Sequence, residues 1–138
     1  MRGFSVAYLS GLIFLALTSP ISAQGGWQVN ALPGEARFEV LEGPSATAQA
    51  YWCAAGQHAQ RQMAATGGTR IYLLNALGKA KTKPGVRAVG FTIAPDDTLL
   101  AKSIAPGQNG NYSVSVDRVG FTVTVIHALN FCVGSGRD

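Results

Sequence analysis

The chain has few of the residues that build redox and metal sites. Its 138 residues include two cysteines and two histidines. Cys53 and Cys132 lie far apart in the sequence, which excludes a Cys-x-x-Cys redox motif, and neither has neighbouring ligands at the spacing of a zinc site. We therefore expect no metal site and no cofactor.

The sequence also lacks the short motifs of common enzymes. It contains no G-x-S-x-G elbow, no H-E-x-x-H pair, no phosphate-binding P-loop and no G-x-G-x-x-G fingerprint. His58 and His127 could each act as a general base, but no orienting carboxylate stands near either of them in the sequence. Asp96, Asp97 and Asp117 fall in turns. We expect two surface histidines and no catalytic residue. A small periplasmic hydrolase or a cation-dependent enzyme that uses His58 or His127 is the alternative.

Long hydrophobic runs and a strong charge of one sign are absent as well. Beyond the first residues, no apolar run approaches the roughly 20 residues that cross a bilayer. Eleven Lys and Arg residues against seven Asp and Glu give a formal net charge of +4. Nucleic-acid binding normally needs a concentrated basic face with aromatic or motif support. The sequence therefore argues against a membrane span and against a nucleic-acid partner.

The amino terminus has the pattern of a secretory signal peptide. Arg2 precedes an apolar run over 4–17, and small residues over 18–23 offer a cleavage site. We expect residues 1–23 to be removed and residues 24–138, about 115 residues, to form one domain in the periplasm or outside the cell. In an oxidising compartment Cys53 and Cys132 are expected to form a disulfide. Two buried free thiols are the alternative.

One helix is predicted over 46–63, with Ser45 as its N-cap, because the segment is rich in Ala and Gln and contains no proline. Gln57 is expected to face water. Gly56 inside a helix predicts the close approach of another backbone. Apolar residues at helical spacing predict the buried stripe: Ala48, Trp52, Ala55, Ala59 and Met63.

Four segments have the composition or alternation of strands: 37–42, 70–75, 87–93 and 111–116. Residues 24–33 are predicted to be an irregular lead-in. The segment 122–132 begins with β-branched alternation and ends with a helical pattern, and we favour a helix that ends near Cys132. These elements predict a small α+β domain. About four antiparallel strands would pack on one main helix, and a disulfide would tie on a C-terminal helix.

The clearest charged feature is a cluster of four basic residues within nine positions: Lys79, Lys81, Lys83 and Arg87. It falls between two predicted strands that could pair as a hairpin with a long loop. Such a loop can simply be solvated, or it can contact an anionic surface, a glycan or an acidic partner. We expect a non-enzymatic exported interaction module whose binding residues are these four. An inhibitor whose loop enters a cleft of another protein is a further possibility.

Several short motifs point to one resemblance: Tyr51-Trp-Cys-Ala-Ala-Gly56, Arg70-Ile-Tyr72, Pro84-Gly85, Val89-Gly-Phe-Thr92 and Phe131-Cys132. With these motifs the chain resembles a family of small exported bacterial proteins of unassigned function. The resemblance covers most of the region after residue 23. It implies export from a bacterial cytoplasm and a bridge between Cys53 and Cys132, and it carries no activity.

Overall fold

The structure is a computed structural model that describes residues 21–23, 27–45, 47–108 and 112–133. Residues 1–20 of the predicted signal peptide, Ala46 and Asn111 lie outside the described residues. The fold is α+β: a six-stranded sheet in the order β1-β2-β3-β5-β4-β6, with all neighbouring strands antiparallel. The elements, in chain order, are β1 (Ile21–Ala23), β2 (Trp27–Ala31), β3 (Arg37–Leu41), α1 (Ala48–Gln62), β4 (Arg70–Lys79), β5 (Arg87–Thr92), α2 (Asp97–Ala101), β6 (Thr122–Thr124) and α3 (Val125–Val133).

Three of the four predicted strands are confirmed, as β3, β4 and β5, and β4 and β5 form the expected hairpin. The prediction for 24–33 is wrong, because Trp27–Ala31 is a strand that pairs with β3. Trp27 and Val29 are buried, and burial of alternate side chains overrides the turn residues on either side.

Over the described residues, no helix is long and apolar enough to cross a membrane.

The predicted strand over 111–116 is wrong for its described residues, 112–116, which are irregular. A hydrogen bond from the Leu77 amide to the Val116 carbonyl, at 2.8 Å, joins this segment to β4. The indole Nε1 of Trp52 donates to the Ser115 carbonyl at 2.7 Å. A side chain of α1 therefore satisfies a backbone group that a neighbouring strand would satisfy in a ladder.

Helix α1 begins two residues later than its expected N-terminus. Thr47, and not Ser45, is the N-cap, because its backbone is extended and its hydroxyl accepts a hydrogen bond from the Ala50 amide at 3.2 Å. Trp52 is fully buried on the predicted stripe. Gln57, expected in water, is buried with 8% of its surface exposed. The buried face of α1 is therefore wider than the stripe, because α3 packs beside it.

The C-terminal segment contains both of the structures that its sequence suggests. Thr122–Thr124 forms β6, and the chain turns into α3 at Val125, where the Thr124 hydroxyl accepts from the His127 amide. The β-branched residues extend the sheet, and the helical pattern begins only after them.

The two long helices lie close together and are joined covalently. The predicted disulfide between Cys53 and Cys132 is present, with the two Cα atoms 5.1 Å apart. Gly56 lies opposite α3, where a Cβ atom added to it would come within 2.9 Å of the Ala128 Cβ atom. The predicted close backbone approach is thus confirmed. A side chain at position 56 would push α3 away from α1.

Aromatic rings fill the core between the helices and the sheet. Trp52 contacts Phe91 edge to face at a centroid distance of 4.9 Å, and it contacts Phe121 at 5.8 Å. Phe38 stacks on Phe91 at 5.8 Å. Phe38 and Phe91 are paired residues of β3 and β5, so they mark the face of the sheet that meets the helices. Residues next to them along each strand belong to the opposite face, which we term the outer face.

Candidate functional site

The basic residues lie at the turn of the β4–β5 hairpin. We term the segment Lys79–Arg87 the basic loop. Lys79 ends β4, Arg87 begins β5, and the two are paired across the hairpin. The Ala80 amide donates to the Val86 carbonyl at 2.9 Å, which extends the hairpin by one step. The structure therefore brings the four predicted binding residues into one loop.

A buried carboxylate holds this loop in place. Glu39 lies on the outer face in the middle of β3, and only 2% of its surface is exposed. Its carboxylate accepts hydrogen bonds from the Lys81 amide at 3.0 Å and from the Thr82 amide at 2.8 Å, and it also accepts one from the Thr82 hydroxyl. Hydrogen bonds to a carboxylate are about twice as strong as those between neutral groups. The basic loop is thus fixed over the outer face by its backbone.

Thr82 connects the loop to a second strand. Its hydroxyl donates to Glu39 and accepts a hydrogen bond from the side-chain amide of Asn30 on β2, at 2.8 Å. Gln28, two residues earlier on β2, donates to the Asn30 side chain at 3.3 Å. The loop therefore reaches from its own hairpin across β3 to β2, and its position is set by contacts more than 40 residues away in sequence.

This arrangement leaves the positive charges in water. Lys79, Lys81, Lys83 and Arg87 are all exposed. Along the described part of the chain, no carboxylate lies within ion-pair distance of any of the four. Backbone amides and a hydroxyl of the loop stabilise the charge of the buried Glu39, and the cationic side chains of the loop do not pair with it. Lys79 and Arg87 face each other as a like-charged pair, which is unfavourable in a sheet.

Sequence reasoning missed Glu39 as part of this site. The alternation over 37–42 places Glu39 on the opposite face of the strand from Phe38 and Val40, so the sheet face that carries Glu39 could be predicted. Nothing near it in the sequence indicates burial, because the covering residues lie 42 and 43 positions away. Only the fold of the hairpin brings them together.

The two histidines contact different aromatic rings. His58 on α1 packs against Phe38, with 4.5 Å between ring centroids. His127 on α3 lies 5.2 Å from the ring of Phe131. Across the described residues, no group of three His, Cys, Asp or Glu side chains is arranged to hold a metal ion.

Burial against Phe38 lowers the pKa of His58 below its ordinary value of 6.5. The unfolded chain then binds a proton at a higher pH than the folded protein does, so we expect the free energy of unfolding to fall as the pH drops through 6.5. The fall should stop once the pH is below the pKa of His58 in the folded state. His58→Gln should lose this component, as urea unfolding between pH 5 and 7 would measure.

His127→Gln is the matched control for this experiment, because it replaces the other histidine without touching the contact with Phe38. The control should keep the acid-dependent fall of the wild type. Identical pH profiles for the wild type and His58→Gln would show that burial does not affect the titration of His58.

Among the described residues, Tyr51 also has a shifted pKa. Burial raises the pKa of Tyr51, the nearby Glu42 carboxylate raises it further, and Arg87 acts in the opposite sense. The ring packs edge to face on Trp27 at 5.0 Å. Its hydroxyl is buried and has no hydrogen-bond partner among the described residues. Tyr51 is thus a neutral core residue.

Two surface pockets are lined in part by basic residues. One, of about 590 Å³, is lined by Lys102 and Arg118 with the chain around Ile104. The other, of about 240 Å³, lies on the outer face beside the basic loop and includes Arg37 and Lys81. Neither is lined by His58 or His127, so the structure does not bring a histidine into either of these pockets.

Asp96 and Asp97, which the sequence places in a turn, serve the fold. Asp96 is the N-cap of α2 and accepts from the Leu99 amide at 2.8 Å, and its carboxylate also lies 3.5 Å from Arg37. Asp97 stands in the first turn of α2, where a negative charge suits the helix dipole.

No protein family, curated protein or solved structure matches the chain.

Proposed function

We propose that this protein is a non-enzymatic, exported binding module that attaches to anionic surfaces of the cell envelope through Lys79, Lys81, Lys83 and Arg87. The observation that carries the proposal is the loop held by Glu39. Four exposed cations stand on a backbone that a buried carboxylate fixes in place. A fixed cluster binds an anionic surface without first losing the conformational freedom of a mobile loop.

Export is part of the same proposal. It is supported by the pattern of residues 1–23 and by the disulfide between Cys53 and Cys132. Disulfides persist mainly outside the cytoplasm, where thiols are not kept reduced. A loop of basic residues on an exported protein would meet the anionic lipids and polymers of the envelope.

The test is co-sedimentation with vesicles of phosphatidylglycerol and phosphatidylcholine at low salt. Each Lys or Arg near an anionic membrane contributes about 1 kcal/mol. Replacing the four cations by glutamine should therefore weaken binding by two to three orders of magnitude. Binding of the wild type should also fall as salt shortens the Debye length to about 10 Å at 0.1 M.

The matched control neutralises four other exposed cations and so has the same net charge: Arg61, Arg70, Lys102 and Arg118. It should bind the vesicles far better than the loop variant. Equal binding by the two variants would show that overall charge, and not the basic loop, is responsible. Unchanged binding by the loop variant would also overturn the proposal.

A further inference from the structure

The smaller pocket on the outer face has the composition of a ligand site. It has a volume of about 240 Å³ and two kinds of wall. One is apolar, and the other carries two cations and a side-chain amide. The lining residues are Leu32, Pro33, Leu74, Arg37, Lys81 and Asn75. Ligand pockets typically combine a mostly apolar lining with a few placed polar groups.

Arg37 is held in place by its neighbours. Its side chain lies over Gly34, where an added Cβ atom would come within 2.8 Å of the Arg37 Cδ atom. Gly34 has a φ of 106°, so a side chain there would be strained as well as crowded. The Asp96 carboxylate lies 3.5 Å from Nη2 of Arg37. One long contact of this kind leaves other N–H groups of the guanidinium to donate.

Asn75 and Lys81 are held as well. The Asn75 side chain lies over Gly90, which has no Cβ atom to exclude it. Nζ of Lys81 donates to Oδ1 of Asn75 at 3.3 Å. The backbone of Lys81 is fixed by Glu39 at 3.0 Å. The polar wall of the pocket is thus arranged before any ligand binds, which lowers the entropic cost of binding.

We propose that this pocket binds a carboxylate carried on a small apolar group. Arg37 would donate to the carboxylate, and Lys81 would supply a second positive charge. Leu32 and Leu74 would cover the apolar part of the ligand. Both charged residues of the lining are cations, so the lining favours an anionic ligand over an organic cation. The pocket shares Lys81 with the proposed envelope-binding surface, whereas Lys79, Lys83 and Arg87 do not line it.

The test is a titration with benzoate, followed by amide chemical shifts in nuclear magnetic resonance spectra. Saturable shifts are expected at Leu74, Asn75 and Lys81. Benzamide has nearly the same shape but no charge, and it should bind at least tenfold more weakly. Arg37→Gln and Lys81→Gln should each weaken benzoate binding by a similar factor. Lys81→Gln keeps the backbone hydrogen bond to Glu39, so a folded control is available.

Two further variants separate the pocket from the basic loop. Arg70→Gln removes an exposed arginine elsewhere on β4 and should bind benzoate like the wild type. A triple change of Lys79, Lys83 and Arg87 to glutamine should lose vesicle binding and keep benzoate binding. The proposal is overturned if benzoate gives no saturable shift, if benzamide shifts the same amides equally, or if both Arg37→Gln and Lys81→Gln bind like the wild type.

Discussion

Replacing Glu39 by glutamine is expected to lower the free energy of unfolding by about 2 to 4 kcal/mol. The carboxylate accepts three hydrogen bonds on two oxygens, from both amides and the hydroxyl of the loop. Glutamine keeps one acceptor oxygen and turns an NH₂ group toward a donor of the loop, which then loses its acceptor. Urea unfolding measures the loss. Hydrogen exchange at the amides of Lys81 and Thr82 measures the release of the loop, and both amides should exchange faster in the variant.

Glu35→Gln is the matched control, because it removes the same charge from an exposed side chain. Changes of exposed residues away from caps and networks usually stay within about 0.5 kcal/mol. A loss of stability in Glu35→Gln equal to that in Glu39→Gln would contradict the role of the buried carboxylate. Slow exchange of the Lys81 and Thr82 amides in Glu39→Gln would contradict it as well.

Removing the disulfide is expected to have an effect of similar size or larger. The bridge joins residues 79 positions apart, and the chain-entropy model gives roughly 4 to 5 kcal/mol for a loop of that length. Measured losses in small exported domains are about 2 to 5 kcal/mol. Changing Cys53 and Cys132 to alanine should therefore lower the urea midpoint strongly. The native packing of Gly56 on Ala128 remains, so α3 should still dock on α1 in the absence of denaturant.

The wild type under reducing conditions provides the internal control. Its urea midpoint should move to that of the double alanine variant, and the variant itself should not respond to reductant. If the oxidised and reduced wild type unfold at the same urea concentration, the disulfide does not contribute to stability.

Much of the fold follows from local patterns in the sequence. The helix at 48–62, the hairpin of β4 and β5, and the disulfide were all predictable, because each rests on composition, alternation or a single possible pairing of cysteines. Gly56 in α1 also predicted, correctly, that another backbone packs close to this helix. Each of these predictions depends on a pattern within a short stretch of sequence or on the two cysteines.

The errors arose where distant residues decide the structure. Residues 112–116 alternate like a strand, but Trp52 on α1 takes the hydrogen-bonding role that a neighbouring strand would have. Trp27–Ala31 forms a strand because β3 offers it a partner and the core covers Trp27. Propensity gives a weak preference, and tertiary contacts override it in both segments.

The candidate site was predictable in its charges and not in its architecture. The four cations are visible as a cluster between two strands. The features that fix them are the burial of Glu39 and the reach of Thr82 to Asn30, and both depend on how the hairpin folds over the sheet. The pocket beside Arg37 likewise joins β3 to the loop, so no single stretch of sequence contains it.

The most direct test of the central claim compares the binding of Glu39→Gln and Glu35→Gln to phosphatidylglycerol vesicles. Each variant has one negative charge fewer than the wild type, so attraction by net charge alone would strengthen the binding of both. A basic loop that binds because Glu39 holds it in place predicts weaker binding for Glu39→Gln and equal or stronger binding for Glu35→Gln. Equal strengthening in the two variants would contradict the account.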